Sequence, residues 1–246
     1  MKLIQLNIWQ GILMYQAMQF LKKERPDILN LQEVTTGIGD VRSAYFSVLE
    51  NLSESLPELK YCHFQRNASS PYSGRRVYDG QAVLSRYRIT RKNVVFTNGK
   101  PIDNGVIGRD NINICFLQHV RIETGNEIIN DLNYHGYWLP YHKGGNEVTR
   151  SHCRTIADYV DGIDSNEKVI LTGDFNLSPH SKSLAVLNRK LTNLVIQHGI
   201  RTTRPPIRDT MTPVDFIFVN DKVRVRSFTV PNAKASDHLP LILEFD

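Results

Sequence analysis

Cysteine is scarce: Cys62, Cys115 and Cys153 are the three in 246 residues, odd in number and far apart. That spacing supports neither a disulfide framework nor a zinc site of the Cys-x-x-Cys kind, and it fits a reducing compartment. No apolar run approaches the roughly 20 residues that cross a bilayer, so no membrane span is expected. The opening Met1-Lys2-Leu3-Ile4-Gln5-Leu6 passes into polar Asn7 before a signal-peptide core can form. A cytoplasmic location is therefore the expectation. Internal repeats, low-complexity tracts and a dividing linker are missing too, which leaves one domain over residues 1–246 as the expected organisation. Excess charge of one sign is small, with 30 Lys and Arg against 25 Asp and Glu, giving +5. It permits an anionic partner without requiring one.

What is present alternates between two periodicities. Lys2 to Ile8 and Asp27 to Val34 are short apolar runs of strand type. Between them Leu13, Met14, Ala17, Met18, Phe20 and Leu21 recur at helical spacing up to Arg25, where Pro26 disfavours continuation. A second helix is expected around Val41 to Leu56, with Tyr45, Val48, Leu49 and Leu52 on one face. Phe64 to Gly80, polar and rich in Ser, Gly and Arg, reads as a long loop. Strands follow at Gln81 to Leu84, Asn113 to Ile122 and Glu127 to Tyr134, the last two joined by a turn at Thr124-Gly125-Asn126. Val148, His152, Ile156, Tyr159 and Val160 predict a helix capped by Asn146, and Lys168 to Thr172 a buried strand. Ser178-Pro179 predicts the start of another helix and Gly199 its stop, after Leu184, Leu187, Leu191 and Leu194. Val214 to Val219, Val223 to Val230 and Leu239 to Phe245 close the chain as strands. Such alternation predicts an α/β fold of mixed sheets.

Polar residues gather where the apolar strands end. Asn7 ends the first, Glu33 ends Ile-Leu-Asn-Leu-Gln-Glu, and Asp174 and Asn176 end Val-Ile-Leu-Thr-Gly-Asp-Phe-Asn. Residues two apart in extended chain share a face, so Asp174 and Asn176 can address one spot. Gly173 lets the backbone bend or come close to a ligand there. Glu33, Asp174 and Asp237 supply the carboxylates a hard cation takes. His135 and His238 supply proton-transfer groups near neutral pH. Singly, Glu33 or Asp237 reads as a solvated strand-end acid, and Asp174 with Asn176 as a simple turn. Asp215 is the exception, since an acid inside an apolar strand requires a partner.

In order along the chain, Leu6-Asn7, Leu31-Gln32-Glu33, Gly80-Gln81-Ala82-Val83-Leu84-Ser85, Asn133-Tyr134-His135, Gly173-Asp174-Phe175-Asn176, Val214-Asp215-Phe216-Ile217-Phe218-Val219 and Ser236-Asp237-His238 resemble the endonuclease/exonuclease/phosphatase superfamily. The resemblance implies a four-layer α/β/β/α sandwich of two mixed β-sheets with outer helices. It also implies a Mg2+-dependent hydrolase of phosphate esters, with Mn2+ as the alternative metal. In that pattern Glu33 is the principal metal ligand with Asn7 beside it, touching the metal shell or the phosphate, and Asp237 is a second metal-side carboxylate. Asp174 orients or deprotonates the attacking water, and Asn176 holds the scissile phosphate. His238, oriented by Asp215, binds the phosphate or acts as base, while His135 contacts the phosphate or assists the leaving group. Arg109 is the candidate for a phosphate-directed arginine, and Asp79 for an acidic partner of His135. Tyr134 and Gly136 replace the commoner residues on either side of that histidine. A phosphodiester in nucleic acid is the leading substrate, a lipid or sugar phosphate the competitor. A binding protein that has lost the chemistry is disfavoured by the intact carboxylates and histidines.

Two regions stay open. Arg66, Arg75 and Arg76, interleaved with Phe64, Tyr72 and Tyr78, suit either a polyanion grip or a solvated loop, and Arg201, Arg204 and Arg208 the same. Trp138 to Gly145 follows His135 directly and is expected to border the site. No motif speaks to the oligomeric state.

Overall fold

The first strand shows how the sequence sorts itself into layers. In β1 (Lys2–Asn7) Ile4 and Leu6 point one way, while Leu3, Gln5 and Asn7 point the other, because successive side chains alternate across a strand. Ile4 and Leu6 join Leu29 and Leu31 of β2 (Ile28–Thr36) in a core closed by α1 (Met14–Glu24) and α2 (Val48–Ser55). Leu3 and Ile28 belong to the second core, which lies between the sheets and extends under α3 (Glu147–Asp161). The computed structural model describes residues 1–37, 46–125, 127–206 and 212–246.

Among the described residues twelve strands form two six-stranded sheets. The remaining ten are β3 (Tyr61–Tyr72), β4 (Arg75–Ser85), β5 (Arg88–Asn98), β6 (Cys115–Thr124), β7 (Glu127–His135), β8 (Lys168–Asp174), β9 (Thr192–Asn193), β10 (Asp215–Val219), β11 (Val225–Thr229) and β12 (Leu241–Phe245). Their order is β11-β12-β1-β2-β4-β3 in the first sheet and β5-β6-β7-β8-β10-β9 in the second. Pairs β1–β2 and β7–β8 are parallel and the other strand pairings antiparallel, so both sheets are mixed. With α1 and α2 on one side and α3 on the other, the result is the expected four-layer sandwich.

Several elements differ from the sequence reading. Phe64 to Gly80 is not a loop: β3 and β4 pair across it, and Ser73 and Gly74 turn the chain with φ of 45° and 75°. Left-handed values at both central residues suit a two-residue hairpin turn. The polar composition misleads because β3 is an edge strand whose tip stands in solvent. β5, another edge strand with Arg88, Arg91 and Lys92 exposed, went unread for the same reason. The helix expected from Pro179 is broken into a 3-10 turn (Lys182–Leu184), α4 (Ala185–Asn188), β9 and α5 (Leu194–Gln197). Its cap is Ser181, which accepts from the Ser183 N–H, rather than Ser178. Asn193 interrupts it, pairing with Phe218 and accepting from the Ile196 N–H to start α5. Gly199 (φ 60°) does end that segment, and Arg25 (φ 52°) ends α1. Val48 and Leu52 are buried as expected; Tyr45 and the start of that expected helix, like Asn126 and Arg208, lie outside the described residues.

Candidate active site

Strand register brings the chemical residues into one row. His135 at the end of β7 pairs with Asp174 at the end of β8, and Asp174 pairs with Asp215 at the start of β10. Alongside, β1 and β2 run parallel and deliver Asn7 and Glu33 from the other sheet. Glu33 owes its direction to a bulge: Gln32 and Glu33 together lie opposite Gln81 of β4, and Glu33 takes a left-handed backbone, φ 56°. A bulge re-aims a side chain at the cost of regular pairing. Asn7 Nδ2 donates to Glu33 Oε1 at 2.8 Å and lies 3.3 Å from Asp174 Oδ2.

Asp174 is the centre of the array. Its Oδ2 lies 3.5 Å from His238 Nε2 and 3.8 Å from His135 Nε2, and its Oδ1 accepts the Asn176 N–H at 2.9 Å. His135 Nε2 is also 3.9 Å from Glu33 Oε1. Burial alone would raise the Asp174 carboxyl; the opposing charges of His238, His135, Arg204 and Lys143 overcome it and hold the group down to about 2. On its far side His238 Nδ1 faces both Asp215 oxygens, at 2.9 and 3.0 Å. Asp215 further accepts from Thr203 Oγ1 at 2.6 Å and Gln5 Nε2 at 3.3 Å. Burial pushes the His238 pKa down, yet Asp215 and Asp174 together bring it above the ordinary value.

Two cations complete the site. Lys143 Nζ donates to Asn176 Oδ1 at 2.8 Å, and Arg204 Nη1 to Asp237 Oδ2 at 3.2 Å. These residues, with Glu33, Asp79, His135, Asp174 and His238, line a cleft of about 590 Å³. Asn176, like Glu33, is left-handed, φ 55°. Gly173 serves a different end from the one its sequence suggests: a Cβ there would sit 1.9 Å from the Tyr134 carbonyl oxygen, so its close approach is to β7 rather than to a ligand.

The structure thus brings together Asn7, Glu33, His135, Asp174, Asn176, Asp215, Asp237 and His238. It does not bring Arg109, whose exposed guanidinium turns to neighbouring Asp110 at 2.8 Å; among the described residues the arginine lining the cleft is Arg204. Nothing in the sequence distinguished Arg204 from Arg201 and Arg208. Asp79 lines the cleft, but it accepts from Asn111 at 2.7 Å, and burial, with Glu33 nearby, raises its carboxyl well above the usual range.

The sequence model of the Endonuclease/Exonuclease/phosphatase family matches residues 5–238, a span that holds every residue of this row. The chain belongs to that family. Members of the family are phosphoesterases, and the cleft just described is built from the parts such chemistry uses. Solved structures of other family members share the fold. One from Beutenbergia cavernae superposes with a TM-score of 0.74 at 17% identity, covering 99% of this chain and 70% of its own. A mannosyl-6-phosphatase of Bacteroides thetaiotaomicron gives 0.66 at 16%, covering 100% and 99%. Humanized D. rerio TDP2 gives 0.67 at 14%, covering 100% and 98%. No curated protein sequence matches the chain.

The residues offer a cation two kinds of seat. Asp174, Asp215 and His238 place ligand atoms within 4.8 Å of one another. There, however, His238 Nδ1 and both Asp215 oxygens are already engaged with each other. Glu33 and Asp174, both reached by Asn7 Nδ2, form the other corner with the carboxylate oxygens that a hard ion takes. Among the described residues no helix is long and apolar enough to cross a membrane.

Proposed function

We propose that this protein is a Mg2+-dependent phosphodiesterase that cleaves nucleic acid. The observation that carries the reading is the placing of two histidines, His238 and His135, on one Asp174 oxygen beside a cleft that also holds Lys143 and Arg204. A diester needs separate groups for the incoming water and the departing alkoxide, and two histidines held by different strands supply them.

Each residue then has a task set by its surroundings. Asp174, kept ionised by its cationic neighbours, accepts a hydrogen bond from the attacking water and aligns it. His238 takes the proton at Nε2, because Asp215 holds its Nδ1 and so fixes the tautomer. Asn176, Lys143 and Arg204 grip the phosphate oxygens, Arg204 through the planar fork that suits them. His135 protonates the leaving oxygen. Glu33, Asn7 and Asp237 would hold Mg2+, which when bound neutralises charge at the phosphoryl centre and activates water.

The purified protein should cut an oligonucleotide in Mg2+, stop with excess chelator, and stop in Asp174→Asn. Mg2+ should also raise its Tm, as any ligand of the native state does, and Glu33→Gln should abolish that rise. A second reading, a phosphatase of small sugar esters, draws on the cleft's size, which lies within the range of small-molecule sites, and on the fold shared with the mannosyl-6-phosphatase. Turnover of hexose phosphates with no cutting of any nucleic acid would replace the first reading by the second.

A further inference from the structure

The chain has two tryptophans, and both line the same cleft. Trp9 lies two residues beyond Asn7 on the turn leaving β1, and Trp138 three beyond His135 on the loop leaving β7. Because β1 and β7 belong to different sheets, the cleft receives one indole from each layer. Neither sits as a core residue. Trp138 is 40% exposed, and Asn113 Oδ1 anchors its backbone N–H at 2.8 Å. Trp9 is half-buried in a run of left-handed backbone, with φ of 50°, 52° and 78° at Trp9, Gln10 and Gly11. Non-glycine residues adopt such values at a cost, and the strain collects at binding sites. The Trp9 N–H is tied to Asn7 Oδ1 at 3.1 Å, which couples the turn to the catalytic row. Ile112, 42% exposed, adds a third apolar face to the lining.

Exposed apolar surface at Trp138 and Ile112, with Trp9 lining the same polar cleft, marks a ligand contact. We infer that Trp9 and Trp138 are stacking platforms for the bases flanking the scissile phosphate, and that the substrate is therefore single-stranded. The inference rests on the nuclease reading and narrows it. An indole offers a flat π face, which any base matches once it is free of its duplex neighbours. Gln10 also lines the cleft, and an amide is a group that pairs with base edges. The apolar side of a sugar also stacks on indole, but Lys143 and Arg204 in the cleft and a net charge of +5 favour a polyanionic strand.

With two indoles, each Phe variant leaves one reporter. In the Asp174→Asn chain, which halts turnover, W9F and W138F should each show fluorescence quenched by a single-stranded DNA oligonucleotide. The same strand with abasic sites flanking the central phosphate should quench and bind several-fold less, and a hexose phosphate should not quench. In the active chain the ratio of kcat/KM for base-bearing over abasic strand should fall roughly 5-fold or more in W138A and in W9A, the loss expected for one platform. W138F should keep most of it. Equal binding and cutting of abasic and base-bearing strands, with oligonucleotide cutting intact, overturns the stacking role and spares the nuclease. Hydrolysis of hexose phosphate with no oligonucleotide cut removes the nuclease reading and this inference together.

Discussion

Asp215 accepts from three side chains, His238, Thr203 and Gln5, and none of its surface reaches water. Such a carboxylate fixes an imidazole's tautomer and steadies its positive form, so its charge matters more than its shape. Asp215→Asn and His238→Gln should each lower kcat by about 10²–10⁴. Because the two act as a unit, the double variant should be scarcely worse than either single one in single-turnover kinetics. The arginines separate as cleanly. Arg109→Ala should leave kcat/KM unchanged. Arg204→Ala should cost about tenfold or more, because it removes from the cleft a charge-assisted donor to Asp237 and to a bound phosphate. A loss in Arg109→Ala equal to that in Arg204→Ala would mean the wrong arginine has been placed in the cleft.

At the scale of elements, the site depends on two departures from regular strand. The bulge in β2 costs Glu33 a left-handed backbone, and the approach of β8 to β7 admits only glycine at 173. Gly173 has φ 149°, where a side chain is strained even before it meets the Tyr134 carbonyl. Gly173→Ala should therefore destabilise the fold by about 3 kcal/mol or more, seen as a Tm lower by about 6–12 °C. Activity should fall with it, since the same strand carries Asp174. An unchanged Tm would show that β7 and β8 part easily, contrary to the register that unites His135 and Asp174.

Across the whole molecule, the space between the sheets grades from apolar to polar toward the cleft. Leu3 and Ile28 give way to Gln5, Asn30 and Gln32, which bond across to the other sheet: Gln32 Nε2 to Asn133 Oδ1 at 2.6 Å, Asn30 Nδ2 to Asp131 Oδ1 at 2.7 Å. Asp131 is wholly buried, and its Oδ2 has no partner among the described residues. Burial outweighs the Asn30 bond and raises the carboxyl to about 7. The folded state thus holds this proton more tightly than the unfolded chain. The stability it contributes is therefore complete below about pH 4 and is lost as pH rises to about 7, at about 1.4 kcal/mol per unit. Asp131→Asn should remove that slope and raise the Tm by several degrees at pH 8. Parallel Tm profiles of the two proteins from pH 4 to 8 would show Asp131 ionised throughout.

Much of this was written in one dimension. Alternation in Lys2 to Asn7, the 3.6-residue spacing from Met14 to Leu21 and the strand-end positions of Asn7, Glu33 and Asp174 are local properties. They follow from bond geometry and side-chain polarity alone, and the order of the motifs carried the family. Edge strands β3 and β5 were not legible, because a strand with one neighbour and a wet face keeps polar residues that look like loop. The single helix expected from Pro179 failed for a related reason: Asn193 pairs with β10, a partner distant in sequence. Nor could spacing choose Arg204 over Arg109, since which guanidinium enters the cleft depends on how the loop at Thr203 is tied to Asp215. Residue types and periods belong to the chain by itself; register between distant strands, and so which charges meet, exists only once the sheets have packed.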